Sequence, residues 1–189
     1  HRAVTVTADV GKLSDVQRIS RVARQMFGGF DTWINNAGVS MYGRLLDEPI
    51  EDMRRLFETN FWGLVYGSLE AARYFKERDQ AGAIINVGST LSDRALVLQG
   101  MYSASKHAVK AFTDALRMEV EMDHMPISVT LIQPGAIATP YSQHAKNYMK
   151  TERTIRRPST HLKRRPRRFC TVPRTESAMS TSGRVGKAL

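Results

Sequence analysis

Two hydrophobic periods follow one another along the first 132 residues. Val4-Thr5-Val6-Thr7-Ala8 alternates in steps of two and predicts a strand ending at Asp9. Ser14-Asp15-Val16-Gln17 then has the form of a capping box, and Val16, Ile19, Val22, Ala23, Met26 and Phe27 share one stripe of the helix it opens. Gly28-Gly29 supplies a left-handed stop. A short strand, Thr32-Trp33-Ile34, runs into Asn35-Asn36-Ala37-Gly38, and Pro49 fits the first turn of a long helix. Met53, Leu56, Phe57, Phe61, Leu64, Val65 and Leu69 form the buried face of that helix. A strand over 83–88, a helix from about 101 to 123 and a strand over 127–132 ending at Pro134-Gly135 complete the pattern. Strand, helix, strand, helix implies a parallel α/β sheet, whose binding residues belong just beyond the carboxyl ends of strands. Asp9, Asn35, Ser89 and Pro134 all fall there.

Composition bounds this picture. The chain has 189 residues and 42% hydrophobic content, enough for one domain with a core. The net charge of +10 resembles a nucleic-acid signal until it is located. Residues 1–149 hold 16 basic and 16 acidic side chains, whereas residues 150–189 hold 12 and 2, so the whole excess lies in the tail. That Arg- and Pro-rich stretch has no helical or strand period and reads as low in order, either a solvated tail or a basic arm for phosphates. Its abrupt onset is the pattern of a frame-shifted or mis-spliced end, with a genuine arm as the alternative. The single cysteine, Cys170, excludes an intramolecular disulfide and points to a reducing, cytoplasmic setting. There is no signal peptide and no apolar run of membrane-spanning length, and the start at His1 reads as a chain with upstream sequence missing.

The chemistry concentrates on one helix. Tyr102 and Lys106 stand one turn apart, on the stripe shared by Val109, Phe112, Thr113, Leu116 and Val120, and Ser89 ends the strand before them. A phenol is a poor proton donor or acceptor at neutral pH, and a fixed positive charge one turn away favours its phenolate. An isolated Tyr-x-x-x-Lys pair is also an ordinary surface pair; a lysine on an inward stripe, however, needs a partner. Asn60 lies on an otherwise apolar face, as a satisfied core amide or as a hinge and water anchor near the lysine. Asn35-Asn36-Ala37-Gly38 is either an ordinary tight turn or one approached closely by a ligand.

Taken together, these residues resemble the short-chain dehydrogenase/reductase family over residues 3–142. The resemblance implies a Rossmann-like doubly wound parallel sheet, incomplete at the N-terminus, with residues 1–149 a partial dehydrogenase domain and 150–189 the low-order tail. It assigns Asn60 a structural and catalytic role, Ser89 the orienting of a carbonyl, Tyr102 proton donation and acceptance, and Lys106 the nicotinamide ribose and the lowering of the tyrosine pKa. Cofactor contacts would come from Asp9 and Val10 at the adenine, Asn36, Ala37 and Gly38 in the turn, and Tyr102 and Lys106. Pro134, Gly135, Ile137 and Thr139 would lie by the carboxamide. No metal is implied. The expected activity is NAD- or NADP-dependent interconversion of an alcohol and a ketone or aldehyde. Leu91 to Gly100 and Tyr141 to Met149 would line the substrate pocket, with Leu96, Val97, Leu98 and Tyr141 pointing to an apolar substrate. The rival is an inactive fragment, or a protein binding nucleic acid or a partner through its tail. One departure is that no strand, Gly-rich turn and helix is present to hold a pyrophosphate. Finally, Met101, Ala104, Ala108, Ala111, Ala115, Met118 and Met122 form a second apolar stripe, buried within one subunit or paired in a homodimer or tetramer as in the family.

Overall fold

The computed structural model of the chain describes residues 3–137 and 139–149, so the expected basic tail lies outside the described residues. Three parallel strands form the sheet: β1 (Thr32–Asn35), β3 (Gly82–Val87) and β4 (Ile127–Ile132), in the order β1-β3-β4. Thr32 pairs with Ala83, and Gly82 with Ile127. Helix α1 (Leu13–Phe27) precedes β1. Helices α2 (Ile50–Phe57) and α3 (Gly63–Arg78), joined by a π-helical turn at Glu58–Trp62, connect β1 to β3, and α4 (Gly100–Met122) connects β3 to β4. A minor parallel pair joins β2 (Met41–Tyr42) to β5 (Lys146–Asn147).

β3 is the central strand, paired along one edge with β1 and along the other with β4. Ile84 is fully buried and packs with Val129 and Ile127 of β4, Phe75 and Tyr74 of α3, and Leu116 and Val120 of α4. A Cβ on Gly82 would come within 2.4 Å of the Phe75 ring, so that glycine is required by the close approach of α3 to the sheet. Along β4, buried Ile127 and Val129 alternate with exposed Ser128 and Thr130, the signature of a sheet covered on one face by the described helices.

Helix and strand boundaries agree with the sequence pattern to within a residue or two at most ends. Three details differ. The Val4–Ala8 segment forms no strand, because alternation alone does not make one without a ladder partner, and among the described residues it has none. Helix α1 begins at Leu13 with Lys12 as N-cap and no side-chain cap bond, so Ser14 is already inside the first turn. Asp15 does the tethering instead: its Oδ2 accepts from the Asp9 backbone N–H at 2.8 Å. Met26 and Phe27, expected on the buried stripe, are each 47% exposed where the helix runs out past the sheet. Gly28 does stop the helix, at φ 77°, with its N–H donated to the Arg24 carbonyl.

Candidate active site

The site grows from three chain reversals at the carboxyl ends of the strands. After β1, the Asn35–Gly38 turn is fixed by a buried chain of amides and hydroxyls. Asn35 Nδ2 donates to Ser68 Oγ (3.0 Å) and to Asn86 Oδ1 (2.8 Å), and Asn86 Nδ2 donates to Thr113 Oγ1 (3.0 Å). Trp33 Nε1 closes the other end on Asn35 Oδ1 at 2.9 Å. Each of these groups has a partner, so the chain ties β1 and β3 to α3 and α4 without an orphaned amide. Asn36 and Ala37 are left exposed at the mouth, with Gly38 beneath them.

The Asn60 alternatives merge. Asn60 is 1% exposed and sits in the π-helical turn, an irregularity that recurs at functional sites. Its Oδ1 accepts from Val39 N (2.8 Å), and its Nδ2 donates to Val39 O (2.9 Å) and to Ser105 Oγ (3.2 Å). Ser105 Oγ in turn donates to the Tyr102 carbonyl at 2.7 Å. One amide therefore clamps the glycine-bearing turn against the helix that carries Tyr102 and Lys106.

After β3, Ser89 is the N-cap of a 3-10 turn, Thr90–Ser92, in a reciprocal capping box: Leu91 N donates to Ser89 Oγ and Ser89 N to Ser92 Oγ, each at 3.1 Å. Thr90 N donates to Pro134 O, and Gln133 Nε2 to Ser89 O and to Asp93, which locks this turn to the end of β4. The Tyr102 hydroxyl shares the cavity wall with the Ser89 and Tyr141 hydroxyls. Lys106, 5% exposed, donates from Nζ to Val87 O at 2.8 Å, which is the partner its inward position demands.

The electrostatics depart from expectation at Tyr102. Burial raises its pKa above the ordinary phenol value, and the neighbouring Ser89 and Tyr141 hydroxyls only partly offset that. The Lys106 ammonium, directed to the Val87 carbonyl and 5.8 Å from the Tyr102 ring centre, does not reverse the shift, and burial lowers its own pKa to about 8. Burial likewise pushes the Tyr141 phenol up.

These groups line a cavity of about 750 Å³. Ser89, Tyr102, Lys106, Asn36, Ala37 and Gly38 are on its wall, as are Pro134, Gly135, Ile137 and Thr139. Asn60 acts from behind the wall through Val39 and Ser105. Asp9 is elsewhere: its carboxylate accepts from Arg55 (3.0 Å) and Gly11 N, and the Arg55 guanidinium holds its pKa below the usual carboxylate range. Asp9 and Val10 border a second groove of about 640 Å³ that meets the cavity at Ala37 and Gly38. Of the expected apolar contacts, Leu96 and Tyr141 line the cavity; Val97 is 83% exposed and Leu98 is not on the wall, because the loop turns back at Leu98. Leu91 and Gln99, within the expected 91–100 segment, line it as well, and sequence reasoning missed Ser40 and Tyr42, which also do.

A nicotinamide dinucleotide is compatible with one end of this cavity. Gly38 and Gly135 leave bare backbone there: a Cβ on Gly38 would stand 3.4 Å from Asn60 Oδ1 and 3.8 Å from Lys106 Nζ, and one on Gly135 would meet nothing within 4 Å. Such residues suit the ribose and ring; among the described residues no Gly-rich turn opens a helix to take the pyrophosphate. No cluster of three or more His, Cys, Asp or Glu is placed to hold a metal among the described residues, and no described helix is long and apolar enough to cross a membrane.

A parallel α/β sheet with Ser, Tyr and Lys gathered at its carboxyl edge defines a class of Rossmann-like oxidoreductase folds. The family model described as short chain dehydrogenase matches residues 1–150, and the chain belongs to that family. It is 50% identical over 149 residues to the uncharacterized oxidoreductase YxnA of Bacillus subtilis, covering 79% of this chain and 42% of that protein. A diacetyl reductase [(S)-acetoin forming] of Staphylococcus epidermidis is 32% identical over 139 residues, covering 74% of this chain and 53% of its own length. Among solved structures, a short chain dehydrogenase/reductase from Burkholderia phymatum in complex with NAD superposes with a TM-score of 0.73 at 27% identity, over 75% of this chain and 50% of that one. Acetoin dehydrogenase YohF from Salmonella typhimurium gives 0.67 at 31% identity, over 74% and 54%. The chain thus spans about half the length of the curated relatives it matches.

Proposed function

We propose that the protein is an NAD- or NADP-dependent oxidoreductase that interconverts an alcohol and a ketone or aldehyde at the Ser89–Tyr102–Lys106 cavity. The observation that carries this reading is the gathering of Ser89, Tyr102 and Lys106 on the wall of one cavity that also has bare glycine backbone. When bound, the dinucleotide supplies or accepts a hydride. The Ser89 Oγ and Tyr102 hydroxyls together hold the substrate oxygen, and Tyr102 gives it a proton in reduction or takes one in oxidation. A phenol raised above its ordinary pKa is fully protonated at neutral pH, which favours reduction there; oxidation, which needs the phenolate, accelerates as pH rises toward that pKa. Lys106 brings positive charge to the same wall, and Asn60 keeps Gly38 and Tyr102 in register through Val39 and Ser105. Following NADH and NADPH absorbance at 340 nm with an aliphatic ketone tests the reading: ketone-dependent loss of either signal is expected, and none with either cofactor contradicts it.

The same reading includes a homo-oligomer. Met118 and Met122 are 68% and 73% exposed, and Ala104, Ala111 and Ala115 are exposed with them, so this stripe of α4 is not buried inside the subunit. Small side chains let a second α4 approach closely. Ala111→Glu is expected to halve the mass measured by light scattering; an unchanged oligomer would count against this face as the interface.

A further inference from the structure

The cavity has a second polar corner that the proposed chemistry leaves unused. Gln99 and Ser40, 7% and 4% exposed, both line it, and Gln99 Nε2 donates to Ser40 Oγ at 3.3 Å. That bond uses one of the two amide N–H groups, and Gln99 Oε1 accepts from no described residue.

The backbone around Gln99 is shaped to put it there. Leu98 adopts φ 64°, a left-handed conformation costly for a branched side chain, and is held by the Gly43 N–H on its carbonyl at 3.1 Å and by the bridge between Gly43 and Gln99. Gln99 is then the N-cap of α4, yet its side chain makes no capping bond, and glutamine is not among the residues favoured at that position. Neither helix initiation nor loop geometry accounts for a buried carboxamide facing the cavity.

Its spacing from the reacting group sets what it can recognise. Gln99, as N-cap, and Tyr102, in the first turn, come from the start of α4 and line the same cavity. A substrate oxygen reaching Gln99 therefore lies close to the carbonyl held by Tyr102. The wall carries one charged side chain among the described residues, Lys106, whose ammonium is directed to Val87 O. Leu91, Leu96 and Ile137 supply the apolar remainder.

We infer that Gln99, backed by Ser40, is a specificity-determining anchor selecting uncharged carbonyl compounds with a second oxygen close to the reacting carbonyl, as in 1,2-diketones and α-hydroxy ketones. The inference rests on the reading of Tyr102 as the group that holds the reacting carbonyl. An amide left without its hydrogen-bond partner discriminates against the plain ketone.

Isothermal titration of the chain with three matched probes tests it: propiophenone, 1-phenyl-1,2-propanedione and benzoylformate. The dione is expected to bind about tenfold more tightly than propiophenone, and benzoylformate more weakly than the dione. Gln99→Met should bring dione and ketone to parity. Ser40→Ala should reduce the difference, and circular dichroism checks that both variants fold. Equal affinities in the native chain, a difference that survives in Gln99→Met, or tightest binding by benzoylformate would each overturn the inference alone. Binding of none of the three would overturn the proposed function with it.

Discussion

Tyr102→Phe is expected to lower turnover by about two to four orders of magnitude, the usual contribution of a positioned proton donor, while leaving dinucleotide affinity unchanged within about twofold. The substitution removes one oxygen and keeps the ring, which is half-buried, so the cavity wall is preserved. Ser89 remains fixed by the Leu91 N–H and by its own N–H on Ser92. The loss should therefore appear in kcat rather than in the binding of cofactor. Steady-state kinetics beside a direct titration with NADH and NADPH separate the two quantities. Retained turnover would remove Tyr102 from the chemistry and make Tyr141, the neighbouring phenol, the group to examine.

Lys106→Met is expected to stabilise the fold at pH 7 by about 1–3 kcal/mol even as it abolishes turnover. Burial lowers the Lys106 pKa from 10.5 to about 8, a shift worth roughly 3 kcal/mol at 1.36 kcal/mol per unit. The sign follows from where the proton sits. Below pH 8 both folded and unfolded chains carry it, and the fold bears the whole cost of the buried ammonium. Between about 8 and 10.5 the folded chain has released the proton while the unfolded chain keeps it, so stability rises with pH through that window and levels off above it. Methionine keeps the length and apolar stem; the lost hydrogen bond to Val87 O subtracts about 1 kcal/mol from the gain. Urea unfolding at pH 7 and pH 10 checks both parts: the variant should be more stable at pH 7, and its advantage should shrink as the native chain gains stability toward pH 10. A variant less stable than the native chain at pH 7 would show that the Val87 contact outweighs the desolvation.

The two predictions trace how far the residues alone carried. The α/β alternation was legible because the helices carry clear apolar periods and some ends are marked: Gly28 ends α1 through its left-handed φ, and the apolar run of β3 is bounded by Gly82 and Gly88. The Ser89, Tyr102, Lys106 and Asn60 positions were legible as a constellation, and the cavity gathers the first three while Asn60 supports them from behind. Other features had no local signal. The π-helical turn at Glu58–Trp62 contains no proline or glycine, yet it is what turns Asn60 toward Val39. Ser14 carried the usual capping residue type, and a longer-range contact between Asp15 and the Asp9 backbone set the helix start instead. Val4–Ala8 alternates well, but a strand is a property of two segments, and pattern reads only one. The direction of the Tyr102 shift depends on where Lys106 places its ammonium, and helical spacing fixes the shared face without fixing that end point.

The central claim is that the nicotinamide end of a dinucleotide occupies the cavity beside Tyr102, Lys106 and Gly38. Saturation-transfer NMR of the chain with NADH and with NADPH addresses it without requiring turnover. Transfer to the nicotinamide ring protons is expected from at least one of the two. It should be lost in Gly38→Val, because the added side chain would project between Asn60 Oδ1 and Lys106 Nζ into that end of the cavity. Transfer confined to the adenine protons, or nicotinamide transfer that persists in Gly38→Val, would contradict the account.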